Sequence, residues 1–148
     1  MPYQKPVNDM KLEFESRSSN EAFARSAVAA FLTPLDPNCE ELADIRTAVS
    51  EAVTNCIVHA YRDCLGPVYI HVKIYEGGRV VIRVKDKGCG IADVKQAMEP
   101  LFTTCETEER SGLGFSIMQS FMDKLRVRSK PGAGTVVTLE KSIVSKGR

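Results

Sequence analysis

The sequence predicts an α+β fold: a two-layer sandwich with a mixed, mostly antiparallel sheet and helices on one face. Three observations carry that prediction. Two runs of alternating apolar and polar residues flank Gly77-Gly78, a second hairpin turns through Pro131-Gly-Ala-Gly134, and apolar residues recur at helical spacing from Leu42 to Cys56.

The elements follow in chain order. Leu12-Glu-Phe-Glu-Ser16 alternates as a half-buried strand does, and Ser18-Ser-Asn-Glu21 has the form of a capping box opening a helix through about Leu32. Asp36-Pro37 starts the next helix, whose stripe is Leu42, Ile45, Val49, Ala52, Val53 and Cys56. Glu51, Asn55 and His59 are each four apart, so they drift only ~40° per step and line the margin of that stripe. Val68, Ile70, Val72 and Ile74 alternate with Tyr69, His71, Lys73 and Tyr75, and Val80, Ile82 and Val84 repeat the pattern after the Gly-Gly turn. A short helix over about 92–98, a polar loop through Ser111, a helix from Gly112 to about Leu125 and a hairpin from Arg126 to about Lys141 complete the chain. Residues 1–9 and 143–148 are expected to be loose tails.

With 148 residues, 43% of them hydrophobic and 26% charged, the chain suits a single domain over 1–148 with one core. No apolar run approaches the roughly 18 residues a membrane helix needs, and Met1-Pro-Tyr-Gln-Lys-Pro6 lacks a signal-peptide core, so a soluble, cytoplasmic protein is expected. A formal charge of +1 gives no electrostatic footprint for nucleic acid. Five cysteines without a C-x-x-C pair support neither a disulfide framework nor a zinc site.

Four short segments carry the chemistry. In Asp86-Lys-Gly-Cys-Gly-Ile91 a carboxylate ends a strand beside Gly88 and Gly90; it can accept a hydrogen bond from an exocyclic amine where the glycines let a base approach the backbone. Alone, such a segment is more often simply an Asx turn after a hairpin strand. Asn55 offers an uncharged oxygen to a Mg²⁺ ion that takes its other ligands from phosphates and water, and Glu51, one turn earlier, can accept a proton. Taken singly, a mid-helix Asn or Glu is more often a solvated residue. His59 suits packing or a helix end better than catalysis. Gly112-Leu-Gly114 at a helix start presents backbone N–H groups to phosphate, with Arg110 beside them and a lid-length segment, Leu101 to Ser111, before them. Gly134-Thr-Val-Val-Thr138 is the fourth segment.

In order and spacing these segments resemble the GHKL ATPase and kinase family, over roughly residues 12–141. Ser-Glu-Ala-Val-Thr-Asn55, Pro100-Leu-Phe-Thr-Thr104 and Glu109-Arg-Ser-Gly-Leu-Gly-Phe115 are similar to segments of the bacterial anti-sigma factor kinases, most closely their sporulation branch. The resemblance implies a GHKL (Bergerat) sandwich that binds ATP and Mg²⁺. It makes Asn55 the metal ligand, Glu51 the catalytic base and Asp86 the reader of adenine. Gly88, Gly90, Gly112, Leu113 and Gly114 would shape the pocket, Thr135 would lie near the base, and Thr103, Thr104, Arg110 and Ser111 would belong to the lid and phosphate contacts. It further implies a homodimer that holds a sporulation sigma factor of the sigma F type inactive and phosphorylates a serine of an anti-anti-sigma, STAS-type protein, with Arg25 as a partner contact. General stress anti-sigma kinases share the nucleotide motifs, and a nucleotide-dependent sigma-binding module with little turnover is a further alternative. Cys105 stands where the family often has a lysine, which bears on turnover more than on ATP binding. Length argues against the larger family members, which need a transducer domain or a phosphoacceptor helix pair.

Overall fold

The computed structural model describes residues 4–91, 93–98 and 114–144. Its strands are β1 (Asn8–Glu15), β2 (Pro67–Ile74), β3 (Arg79–Asp86), β4 (Lys124–Lys130) and β5 (Gly134–Ser142), and its helices are α1 (Asn20–Phe31), α2 (Cys39–Asn55), α3 (Val94–Ala97) and α4 (Gly114–Phe121). The strands form one sheet in the order β1-β2-β3-β5-β4, with every neighbouring pair antiparallel. The sheet is thus antiparallel throughout the described residues, where a mixed one was also open.

The inner face of the sheet is written in the alternation of its strands. Val68, Ile70, Val72 and Ile74 of β2 and Val80, Ile82 and Val84 of β3 are all buried, as are Val137 and Leu139 of β5. Against them lie Ala24 and Val28 of α1, Ile45, Val49 and Val53 of α2, and Met118 of α4, so the helices cover one face and the core sits between the layers. At 20–33 cal/mol per Å² of apolar surface removed from water, this layer is the dominant stabilising term. No helix of the described residues is long and apolar enough to cross a membrane.

Several boundaries differ from the sequence expectation, each for a local reason. The capping box at Ser18–Glu21 does not form: the N-cap is Ser19, which makes no side-chain cap bond, and the Glu21 carboxylate is taken up instead by Arg25 at 2.9 Å and by the Ser50 hydroxyl at 2.8 Å. A capping box does open α2, but at Asn38, whose Oδ1 accepts the Glu41 N–H at 2.7 Å while Glu41 accepts the Asn38 N–H at 2.9 Å. Such a cap contributes about 1 kcal/mol. Asp36 instead closes a short 3₁₀ turn, Thr33–Leu35, in the left-handed region at φ 51°. The helix expected to reach Leu125 ends at Phe121, since the Asp123 N–H already donates to Glu140 O and Leu125 is paired with Leu139 in the sheet. Of the expected tails, Asn8 and Asp9 belong to β1, and Ile143 is buried with its N–H on Gly78 O.

Past Asn55 the chain of α2 widens into a π-helical turn, Cys56–Ala60, in which the Tyr61 N–H reaches back five residues to Cys56 O. Such turns gather at functional sites. This one aims the carbonyls of His59 and Ala60 at the glycine segment after β3.

Candidate functional site

A cavity of about 370 Å³ opens where the end of α2, the end of β3, the glycine segment, α3, the start of α4 and β5 converge. Asn55, His59, Asp86, Gly90 and Thr135 all line it, with Phe115 as an apolar wall. Residues from four separated stretches of sequence thereby meet around one space.

Asp86 is 4% exposed and is the last residue of β3. Its Oδ1 accepts the Gly88 N–H at 2.9 Å, and the carboxylate also takes hydrogen bonds from the Cys56 thiol and the Thr135 backbone. Burial pushes the carboxyl above its ordinary value, and those three bonds only partly offset it. A carboxylate has about four acceptor sites. With three protein donors engaged, capacity for one further donor remains on a residue that lines the cavity. The Cys56 thiol is pushed well above its usual value, first by burial and then by the Asp86 charge, so it stays protonated and a donor.

The glycine segment is held from both sides. The Cys89 N–H donates to Ala60 O at 3.1 Å, the Gly132 N–H donates to Cys89 O at 2.7 Å, and the Ile91 N–H donates to Ser129 Oγ at 2.7 Å. Gly88 lies so close under Ala60 that a Cβ there would run into its carbonyl, and Gly90, at φ 77°, stands against Lys130 O. Side chains are excluded at both positions. Behind them the Tyr61 hydroxyl accepts the Lys87 N–H at 2.6 Å and donates to Pro67 O at 2.7 Å, bracing the turn that carries Asp86. Burial raises the Tyr61 phenol, which keeps it a donor.

At the other end, α2 presents Glu51 and Asn55 to the first residue of α4. A Cβ placed on Gly114 would sit 3.3 Å from Asn55 Oδ1 and 3.6 Å from Glu51 Oε1, so the bare Cα of a helix start faces both side chains. Glu51 is 4% exposed and borders a second cavity of about 420 Å³, shared with Glu21, Arg25, Ser50 and Thr54. Arg25 lies there, paired with Glu21 at 2.9 Å. Among the described residues no three His, Cys, Asp or Glu cluster as a metal site. The single amide oxygen of Asn55 beside the cradle at Gly114 fits an octahedral cation that brings phosphate oxygens and waters of its own.

Of the residues singled out in the sequence, Asn55, Asp86, Gly90 and Thr135 line the first cavity, while Gly88 packs under Ala60 and Gly114 against Asn55, both of which line it. Thr103, Thr104, Cys105, Arg110, Ser111, Gly112 and Leu113 lie outside the described residues. The sequence reading missed Cys56 as a donor, Tyr61 as a brace and Ser129 as an anchor. For Ser129 a signal was available: it continues the inward alternation of Leu125 and Val127, and a hydroxyl on an apolar face needs partners.

Comparison with known proteins places this arrangement. Residues 14–141 match the model of the histidine kinase-like ATPase domain. The chain belongs to that family of ATP-binding domains, and within it to the anti-sigma F factors. It is 55% identical over 139 residues to the anti-sigma F factor of Thermoanaerobacter sp. (strain X514), covering 94% of this chain and 96% of that protein. It is 56% identical over 136 residues to the anti-sigma F factor of Caldanaerobacter subterraneus subsp. tengcongensis, covering 92% and 94%. Among solved structures, the RsbU and RsbW domains of a Mycobacterium tuberculosis protein superpose on 93% of this chain with a TM-score of 0.69 at 18% identity, the match spanning 32% of that longer chain. The catalytic domain of histidine kinase ThkA superposes on 90% of this chain and 96% of its own, with a TM-score of 0.58 at 16% identity. At such identities the likeness is one of fold.

Proposed function

We propose that the chain is an anti-sigma factor of the sporulation type that holds a sigma F-like factor inactive and, as a protein serine kinase, uses Mg·ATP to phosphorylate its anti-anti-sigma antagonist. The observation that carries this reading is the meeting of Glu51 and Asn55 at Gly114, with Asn55 also lining the cavity that Asp86 lines. The high identity to anti-sigma F factors over nearly the whole chain favours the sporulation circuit over the general stress one.

Asp86 takes the adenine amino group into its remaining acceptor site, and Gly88 and Gly90 let the base lie against backbone. Asn55 is the protein ligand of Mg²⁺, which supplies charge neutralisation on the phosphates. Glu51 accepts the proton of the substrate serine as its oxygen bonds to the γ-phosphorus; the bond from that phosphorus to the β,γ-bridging oxygen breaks, and its electron pair leaves with ADP. Gly114 keeps the start of α4 close to both α2 side chains and adds the positive end of a helix dipole. Arg110, Ser111, Gly112, Leu113, Thr103 and Thr104 are assigned to phosphate and lid contacts on the family resemblance. Arg25, half-exposed at the second cavity, is assigned to partner contact, and the active form is a homodimer.

Glu51→Gln tests the assignment. The variant is expected to bind ATP and the sigma factor as the parent does, while transfer of radiolabelled phosphate to the antagonist drops by roughly 10²- to 10⁴-fold, the usual share of a general base. Unchanged transfer would refute the role of Glu51. Asn55→Ala is expected to weaken Mg·ATP binding, and intact affinity there removes the metal assignment.

A further inference from the structure

Asp86, Thr135 and Ser129 stand in one cross-strand row. Asp86 of β3 is opposite Thr135 of β5, and Thr135 is opposite Ser129 of β4. All three side chains face the helical layer, and Thr135, 8% exposed, lines the cavity beside Asp86. Ser129 does not line it, yet its hydroxyl is the most heavily used in the region. It accepts the Ile91 N–H at 2.7 Å, lies 2.9 Å from Gly134 O, and lies 2.8 Å from Thr135 Oγ1.

A serine hydroxyl has one proton to give. If Ser129 gives it to Gly134 O, the Thr135 hydroxyl donates to Ser129 and offers the cavity only lone pairs. If Ser129 gives it to Thr135 Oγ1, the Thr135 proton is released to point into the cavity. The two arrangements differ by rotation of two hydroxyls, and a ligand selects between them.

Adenine presents a donor, its amino group, next to an acceptor, a ring nitrogen. The Asp86 carboxylate can only accept, so it is matched to the amino group, and the ring nitrogen then needs a donor. The Gly88 N–H and the Cys56 thiol are already committed to Asp86, and the Thr135 hydroxyl, opposite Asp86 in the sheet and lining the same cavity, can supply one. Guanine reverses the pattern, an oxygen beside a ring N–H, and meets like groups at both positions.

We propose that Ser129 is a positioning residue for base recognition: by donating to Thr135 and anchoring Ile91, it turns the Thr135 hydroxyl proton toward the adenine ring nitrogen beside the amino group. The inference rests on the reading of Asp86 as the adenine contact. It gives β4, none of whose residues lines the cavity, a share in choosing the base.

The test is nucleotide affinity of the full chain for Mg-bound ATP, 1-deaza-ATP and 7-deaza-ATP, each analogue lacking one ring nitrogen adjacent to the edge that carries the amino group. Ser129→Ala is expected to weaken ATP about fivefold, as loss of one neutral hydrogen bond does, and to leave one of the two deaza analogues unaffected. Ser129→Thr, which keeps the hydroxyl, restores ATP affinity. An equal loss on ATP and both analogues would mean that Ser129 only supports the fold, and it overturns the proposal, as does undiminished ATP affinity. Asp86→Asn separates this failure from that of the underlying reading: if Asp86→Asn binds ATP normally, the adenine assignment falls and the proposal with it. Should Ser129→Ala not fold, Thr135→Val must reproduce the same analogue-selective loss for the proposal to stand.

Discussion

The two ends of the cavity are held by different kinds of structure. At Asp86 the groups are fixed by strand register: Asp86, Thr135 and Ser129 are neighbours because β3, β5 and β4 pair as they do, and three donors bind the carboxylate. At Asn55 they are fixed by helix phase, since Glu51 and Asn55 share a face of α2 and meet a glycine at the start of α4. The first end is specified by many bonds. The second is specified by closeness of approach, with a bare Cα facing two polar side chains.

The largest expected effect breaks the register-held end. Asp86→Asn replaces a charged acceptor by an amide, and ATP affinity measured by calorimetry should fall about 100-fold, the range for a hydrogen bond to a charged group. The cooperative thermal transition should survive, because the substitution also removes a buried charge. A collapse of the fold would instead make Asp86 a structural residue and erase the contrast.

A smaller effect appears on titration. Burial raises the Asp86 carboxyl, so the folded chain holds a proton there between the unfolded and folded values, and the contribution of this group to stability declines as pH rises through that window. Binding runs the opposite way. ATP affinity should fall as pH drops through the raised value, approaching tenfold per pH unit below it, and the fall should begin above the ordinary carboxylate range. A binding profile flat down to that range would show that the ionised carboxylate is not the acceptor.

The smallest effect sharpens the phase-held end. Gly114→Ala sets a methyl 3.3 Å from Asn55 Oδ1, a contact that shifts the amide by a few tenths of an ångström. Phosphate transfer should slow roughly threefold to tenfold, since misplacement by 1 Å can cost about a hundredfold. The thermal midpoint should hold or rise, because glycine is the poorer helix former by up to about 1 kcal/mol. A loss of stability without a loss of rate would place the role of Gly114 in packing.

What could be read in the chain was whatever local periodicity encodes. The β2–β3 hairpin around Gly77-Gly78, the apolar stripe of α2, and the placing of Asn55 at its margin follow from spacings of two and four residues. Asp86 and Gly90 were legible because a strand ending in a carboxylate and glycines is a local pattern. The partnership of Ser129 with Ile91 was not, since it depends on β5 lying between β3 and β4, a fact of sheet order rather than of any short segment. Glu21 misled for a similar reason: its competitor for the cap, Ser50, is 29 residues away. The widened turn after Asn55 left no mark in the apolar spacing either.

That turn makes the glycine segment depend on chain length more than on residue type. Ile57 and Val58 contribute only backbone and apolar surface, so apolar substitutions at those two leave the Ala60 carbonyl where Cys89 finds it. Removal of any one of them returns the helix to α register and carries Tyr61, the brace beneath Lys87, around the helix axis. Related sequences with the same site should therefore vary at Ile57 and Val58 while preserving the count of residues between Asn55 and Tyr61.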